Sequence, residues 1–170
     1  MLKKIGISNL VIYLFCKLLP MSEASHFISS ETLKAYQEAV FSIFNGEKLI
    51  QFKAGLFSQE ILTFIKQENI QSAALITAYN PYSKPLSKVE NEAAQAKLIE
   101  RLNELSIRFF RGEGRDAAGL WEPEPSVLAL DISLETADEL AIQFEQNAYV
   151  WINGDGLPTL KLMFPVSNNP

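Results

Sequence analysis

The sequence predicts an α+β domain, a two-layer α/β sandwich with a β-α-β-β-α-β (ferredoxin-like) core preceded by a β-hairpin and a helix. Three observations predict it. Asn45-Gly46 separates two alternating apolar runs, the pattern of a hairpin. Residues 72–78 are apolar on both faces, as a central strand must be. From there to residue 152 the hydrophobic period switches between helix and strand in the split β-α-β order.

Each element has its own local reason. A short helix over 31–37 leads into a strand over 39–44, and Asn45-Gly46 tolerates positive φ at both loop positions, so 39–44 pairs with 47–53. Ser58 caps the next helix, with Phe57 and Leu62 spaced as a hydrophobic staple and Ile61, Leu62, Phe64 and Ile65 as its apolar face; it ends near Asn69. After the strand over 72–78, Ser87 and Glu90 form a capping box for a helix over 88–105. Its stripe of Asn91, Ala94, Leu98, Leu102 and Leu105 faces inward, which brings Asn91 toward Asn80 at the strand end. A strand over 106–111, a Gly- and Pro-rich loop over 112–125 and a strand over 126–132 follow. Ser133 caps a helix with Ala137, Leu140, Ala141 and Phe144 inward, and Gln146-Asn147 ends it before a strand over 148–152. Gly154-Asp155-Gly156 turns the chain into a last strand over 159–164.

Of the 170 residues, 48% are apolar and 21% charged, the profile of one globular domain, assigned to residues 25–170. Residues 1–20 hold three lysines and no acid, which leaves twelve basic against twenty acidic side chains from Met21 onward. That balance disfavours nucleic acid and an anionic membrane as partners. Residues 1–24 admit three readings. Met21 is the true start and the upstream stretch is sequence translated in error; or Lys3, Lys4 and the apolar run form a signal peptide cleaved near Ala24; or the stretch is a packing or anchoring helix interrupted by Lys17. The first makes the protein cytoplasmic, the second secreted.

Cys16 and His26, each the single residue of its type, both precede the first element. A thiolate or Cys/His metal site, a histidine-based triad and a histidine general base are thereby removed from the expected folded body, leaving no metal or cofactor expectation. The arginines Arg101, Arg108, Arg111 and Arg115 fall in one window, as ordinary surface ion pairs or as an anion site. Gly112, Gly114 and Ala117 match a Gly-x-Gly-x-x-Ala spacing. The glycine and prolines that follow keep a helix from opening there, so a loop is expected and not a dinucleotide fingerprint.

The segments Ile76-Thr-Ala-Tyr-Asn-Pro81, Gly114-Arg-Asp116, Glu124-Pro-Ser126 and Phe144-Glu-Gln-Asn-Ala148, with Asn91 and Trp121 between them, resemble the bacterial family DUF3293 in order and spacing over roughly 72–162. The resemblance implies no reaction. It implies a start shortly before a tyrosine-bearing first helix, here Tyr36, in keeping with Met21. Members more often carry glycine where this chain has Glu145.

The candidate ligand-binding residues are Asn80, Asn91, Arg115, Trp121, Glu124, Gln146 and Asn147. The amides offer donors and acceptors without titrating, and strand ends next to helix starts are where α/β sheets hold ligands. The leading expectation is a module binding a small molecule or anion, with a regulatory role open. A hydrolase or transferase without metal, using Glu124 or Glu122 with Arg115, stands as an alternative; carboxylates two apart in an extended chain lie about 7 Å from each other on one side. A protein-interaction module using the Pro-rich loop or an exposed sheet edge is the other. The oligomeric state is left open.

Overall fold

The computed structural model describes residues 26–117 and 122–167. Expectations about residues 1–24, and about Trp121, lie outside the described residues. A seven-stranded sheet runs in the order β2-β1-β4-β5-β3-β6-β7, with every neighbouring pair antiparallel. Its strands are β1 (Val40–Asn45), β2 (Lys48–Phe52), β3 (Ser72–Ile76), β4 (Phe109–Arg115), β5 (Glu124–Leu130), β6 (Ala148–Asn153) and β7 (Pro158–Leu162). The α-helices described are α1 (Ser30–Glu38), α2 (Gln59–Glu68), α3 (Lys88–Glu104) and α4 (Leu134–Gln143). The class is therefore mixed α and β, as expected.

The two-layer arrangement is not what forms. Ile61, Phe64 and Ile65 of α2 pack with Ile43, Ile50, Leu75, Leu128 and Val150 on one face of the sheet. Leu98 and Leu102 of α3 and Leu140 of α4 pack with Ala74, Ile76, Val127 and Trp151 on the other. Alternation of side chains along a strand explains why β3 after Ser72 and β5 after Ser126 are apolar at successive positions: both of their faces are covered. Burying each of these large side chains contributes about 1.5–3 kcal/mol.

Local signals hold where they are satisfied by chain neighbours. Ser87 Oγ accepts from Glu90 N at 3.3 Å, and the Glu90 carboxylate accepts from Ser87 N at 3.0 Å. Ser58 and Ser133 cap α2 and α4. Asn69 ends α2 with φ 54° in the left-handed region.

Four details differ from expectation. The hairpin loop is Gly46-Glu47, closed by the Asn45↔Lys48 pair, and of the two only Gly46 has positive φ, 61°. Glycine at the first central position belongs to the second of the two tight hairpin turns. On α3, Leu105 is 38% exposed and Gln95 takes the inward position four residues after Asn91. The staple residue Phe57 is exposed. Gly112 to Arg115 are strand and not loop. β4 runs between β1 and β5, and a Cβ on Gly112 would lie 2.8 Å from both Leu75 Cδ1 and Ser42 O. Glycine there serves close strand packing, a use unrelated to turns.

Among the described residues no helix is long and apolar enough to cross a membrane, and no group of three metal-binding side chains occurs.

Candidate functional site

At the C-terminal end of β3 the chain enters a short segment, residues 77–87, with unusual backbone. Asn80, Tyr82 and Ser83 have φ of 49°, 52° and 58°. Left-handed values in three residues other than glycine cost free energy, so the surroundings must hold them. They do so with side chains from four elements.

Asn91, in the first turn of α3, is the principal clamp. Its Oδ1 accepts from Asn80 N at 2.8 Å, and its Nδ2 donates to Asn80 Oδ1 at 2.9 Å and to Leu86 O at 3.4 Å. Asn80 Oδ1 also accepts from Leu86 N at 3.0 Å. One turn along α3, Gln95 Oε1 accepts from Ala78 N at 2.8 Å. From the start of β5, Glu124 Oε1 accepts from Asn80 Nδ2 at 2.5 Å.

The α4–β6 junction holds the other side. Gln146 Nε2 donates to Tyr79 O at 3.1 Å and to Phe144 O at 3.0 Å, and Tyr82 N donates to Glu145 O at 2.7 Å. Asn147 Nδ2 donates to Ser83 Oγ at 3.0 Å, and Tyr36 of α1 meets the same hydroxyl. On its other side Asn147 Oδ1 lies 2.6 Å from His26 Nε2. The imidazole sits against Tyr82 and Phe164, with ring centroids 4.5 and 4.7 Å away.

His26 therefore belongs to the folded body, contrary to expectation. Its partner is 121 residues away, and nothing in the local sequence links the two. Gln95 also escapes the sequence reading, although its spacing of four from Asn91 on one helix face is a signal that points to it. Tyr36, Tyr79 and Ser83 complete the group that residue type alone does not single out.

Of the expected residues, Asn80, Asn91, Glu124, Gln146 and Asn147 converge on the 77–87 segment. Arg115 does not join them. Glu124 pairs directly with Gly114, so the two share a face of the sheet and the next residue, Arg115, points to the opposite one. Its guanidinium lies 3.8 Å from Glu113. The remaining arginines scatter: Arg101 pairs with Glu104, Arg108 lies between Glu68 and Asp131, and Arg111 is exposed. Glu122 is exposed, apart from the partly buried Glu124.

Glu124 and Tyr79 have displaced acidities. Burial pushes the Glu124 carboxyl above its ordinary value, against a smaller downward pull from the Asn80 hydrogen bond. The Tyr79 phenol is raised by burial and then by the negative charges of Glu92 and Glu124. Chemically, the group is a set of neutral amides engaged with backbone and with neighbouring side chains, with two carboxyls and a phenol at its margin. Among the described residues no buried side-chain nitrogen or oxygen lacks a hydrogen-bond partner. An open cleft lined by Ile65, Lys66, Asn69, Ile70, Gln71 and Gly154 lies at the other end of β3 and includes none of the expected residues.

Residues 76–149 match the family described as Protein of unknown function (DUF3293), a span that contains every clamping residue of the site except His26 and Tyr36. No curated protein and no solved structure matches the chain.

Proposed function

With residues 76–149 placed in the DUF3293 family, we propose that the protein is a non-covalent binding module for a small polar ligand, held at the sheet end where the 77–87 segment meets Glu124 and the first turns of α3. The observation that carries this reading is the clamped backbone of Asn80, Tyr82 and Ser83. Strained conformations of about 1–3 kcal/mol each persist only where the surroundings over-determine them, and they cluster at ligand clamps and active sites. Here four elements supply the restraint.

Since the amides are occupied with the backbone and with neighbouring side chains, ligand contact falls to the margin: the Glu124 carboxyl, the Tyr79 phenol and Glu92. These groups favour a ligand that presents hydrogen-bond donors, such as an amine or guanidine, over the small anion that the sequence suggested. The nearest arginine in the chain order of the site, Arg115, lies on the opposite face from Glu124 and is engaged with Glu113. Binding is favoured over hydrolysis or transfer for the same reason, because the carboxylate–arginine pair that such chemistry would use is separated by the sheet. We read the placing of β5 between β3 and β4, and of β3 between β5 and β6, as a split β-α-β arrangement of ferredoxin-like kind.

Thermal unfolding with spermidine, arginine or phosphate as probes tests the reading. A ligand at 100 times its dissociation constant adds about 2.7 kcal/mol of stability. The expected result is a midpoint raised by an amine or guanidine probe and a rise that Glu124→Gln abolishes. Stabilisation by phosphate alone, unchanged in Glu124→Gln, would overturn it.

A further inference from the structure

We propose that β2 pairs antiparallel with β2 of a second copy of the chain, joining two seven-stranded sheets edge to edge. β2 ends the sheet, and among the described residues nothing is hydrogen-bonded to its outer side. Its pairing with β1 decides which residues face outward. The pair that closes a two-residue hairpin loop, here Asn45↔Lys48, exchanges both backbone bonds, and such pairs recur at every second residue. Ile43↔Ile50 and Phe41↔Phe52 are then the other bonded pairs. The backbone groups of Leu49 and Gln51 point away from β1 and are available to another strand, while Glu47 in the loop and Lys53 just past the strand flank them.

β2 and the charges that flank it are complementary to themselves. An antiparallel pair centred on Ile50 sets Leu49 opposite Gln51 of the second copy and brings Glu47, in the loop, to the end of the ladder where Lys53 of the second copy follows β2. Every outward-facing residue thus meets an outward-facing residue, as a continuous ladder requires, and the two-fold axis makes the charge pair twice. Shifting the register by two residues in either direction places Lys53 opposite Asn45 or Leu49 and loses both charge pairs.

The exposed side chains fit the same partner. Leu49 is 45% exposed and faces Phe44, which is 41% exposed, across the hairpin. In the centred register Leu49 lies diagonal to Leu49 of the second copy, so the apolar pair gains an apolar neighbour. Lysines on a free edge usually prevent such pairing. In this register Lys53 meets an acid, and Lys48 lies opposite Phe52 of the second copy.

Sedimentation equilibrium of the full chain at micromolar concentrations tests the proposal. A dimer is expected. Glu47→Lys and Lys53→Glu should each weaken it by about tenfold, since each places like charges opposite one another twice. The double variant, which restores opposite charges in reversed order, should return the affinity to near its original value. Gln51→Pro removes an outward N–H without touching the β1 ladder and should also weaken the dimer. A monomer throughout, including one whose edge is covered by residues 1–25 of its own chain, would overturn the proposal. So would a dimer insensitive to these changes, or one that the double variant fails to restore.

Discussion

Asn80 and Asn91 grip each other twice: the Asn91 carbonyl oxygen takes the backbone N–H of Asn80 at 2.8 Å while its amide nitrogen donates to the Asn80 side chain at 2.9 Å. A residue with left-handed φ is fixed by a helix first turn eleven positions later. Replacing Asn91 by Leu suits the apolar face of α3 but orphans the Asn80 N–H and Leu86 O, so a loss of about 1–3 kcal/mol in urea unfolding is expected. An unchanged midpoint would mean that the segment does not depend on this clamp.

Gly112 of β4 pairs with Ile43 of β1 on one side and Ser126 of β5 on the other. A Cβ there would sit 2.8 Å from Leu75 Cδ1 and, less forgivingly, 2.8 Å from the backbone Ser42 O. Gly112→Ala is therefore expected to destabilise by about 1–3 kcal/mol, as overpacking does. Gly114→Ala provides the control, because its new Cβ would meet only the Phe41 ring at 3.4 Å; the smaller loss should be seen there.

At Gly46 the constraint is conformational and not steric, since a Cβ added there would meet nothing within 4 Å while φ is 61°. Gly46→Val should cost on the order of 1 kcal/mol or more, because a branched side chain resists positive φ. An unchanged midpoint would point to a different turn.

Glu145 follows α4 with φ 54°, at a position where glycine relieves the strain of left-handed backbone. Its carbonyl accepts from Tyr82 N, a contact that needs no side chain. Glu145→Gly is expected to raise stability by up to about 1 kcal/mol, the relief at left-handed φ exceeding the added chain entropy. A lower thermal midpoint in the variant would show that the glutamate side chain has a role of its own.

Burial holds the Glu124 carboxyl above its ordinary value, so the folded chain binds this proton more tightly than the unfolded chain does. Stability from this group is present in full below the ordinary carboxyl range and is lost as pH rises to the raised folded value. Glu124→Gln keeps an acceptor for Asn80 Nδ2 and removes the titration. Its stability relative to the parent should therefore increase with pH across that window and then level off. Urea titrations of both proteins over about pH 4 to 8 measure this directly; a constant difference would show that the carboxyl titrates normally.

Features set by residues close in the chain were legible before folding. The Ser87–Glu90 box joins residues three apart, the inward stripe of α3 follows the helical period, and the approach of Asn80 to Asn91 follows from a strand end meeting the next helix start. The residue types of Ser58 and Ser133 likewise announce their caps. Tertiary contact decided the rest. The hairpin loop sits one residue later than its dipeptide suggests, since Asn45 pairs with Lys48 and leaves Gly46 and Glu47 outside the ladder. Gly112 and Gly114 look like loop residues in isolation and become strand because neighbouring strands close around them. Arg115 is adjacent to the site in sequence pattern but lies across the sheet from Glu124, since strand alternation sends successive residues to opposite faces. His26 joins Asn147 only through the complete fold: no helical or strand period spans 121 residues, and a contact at that separation exists only once the sheet has brought both ends of the chain together.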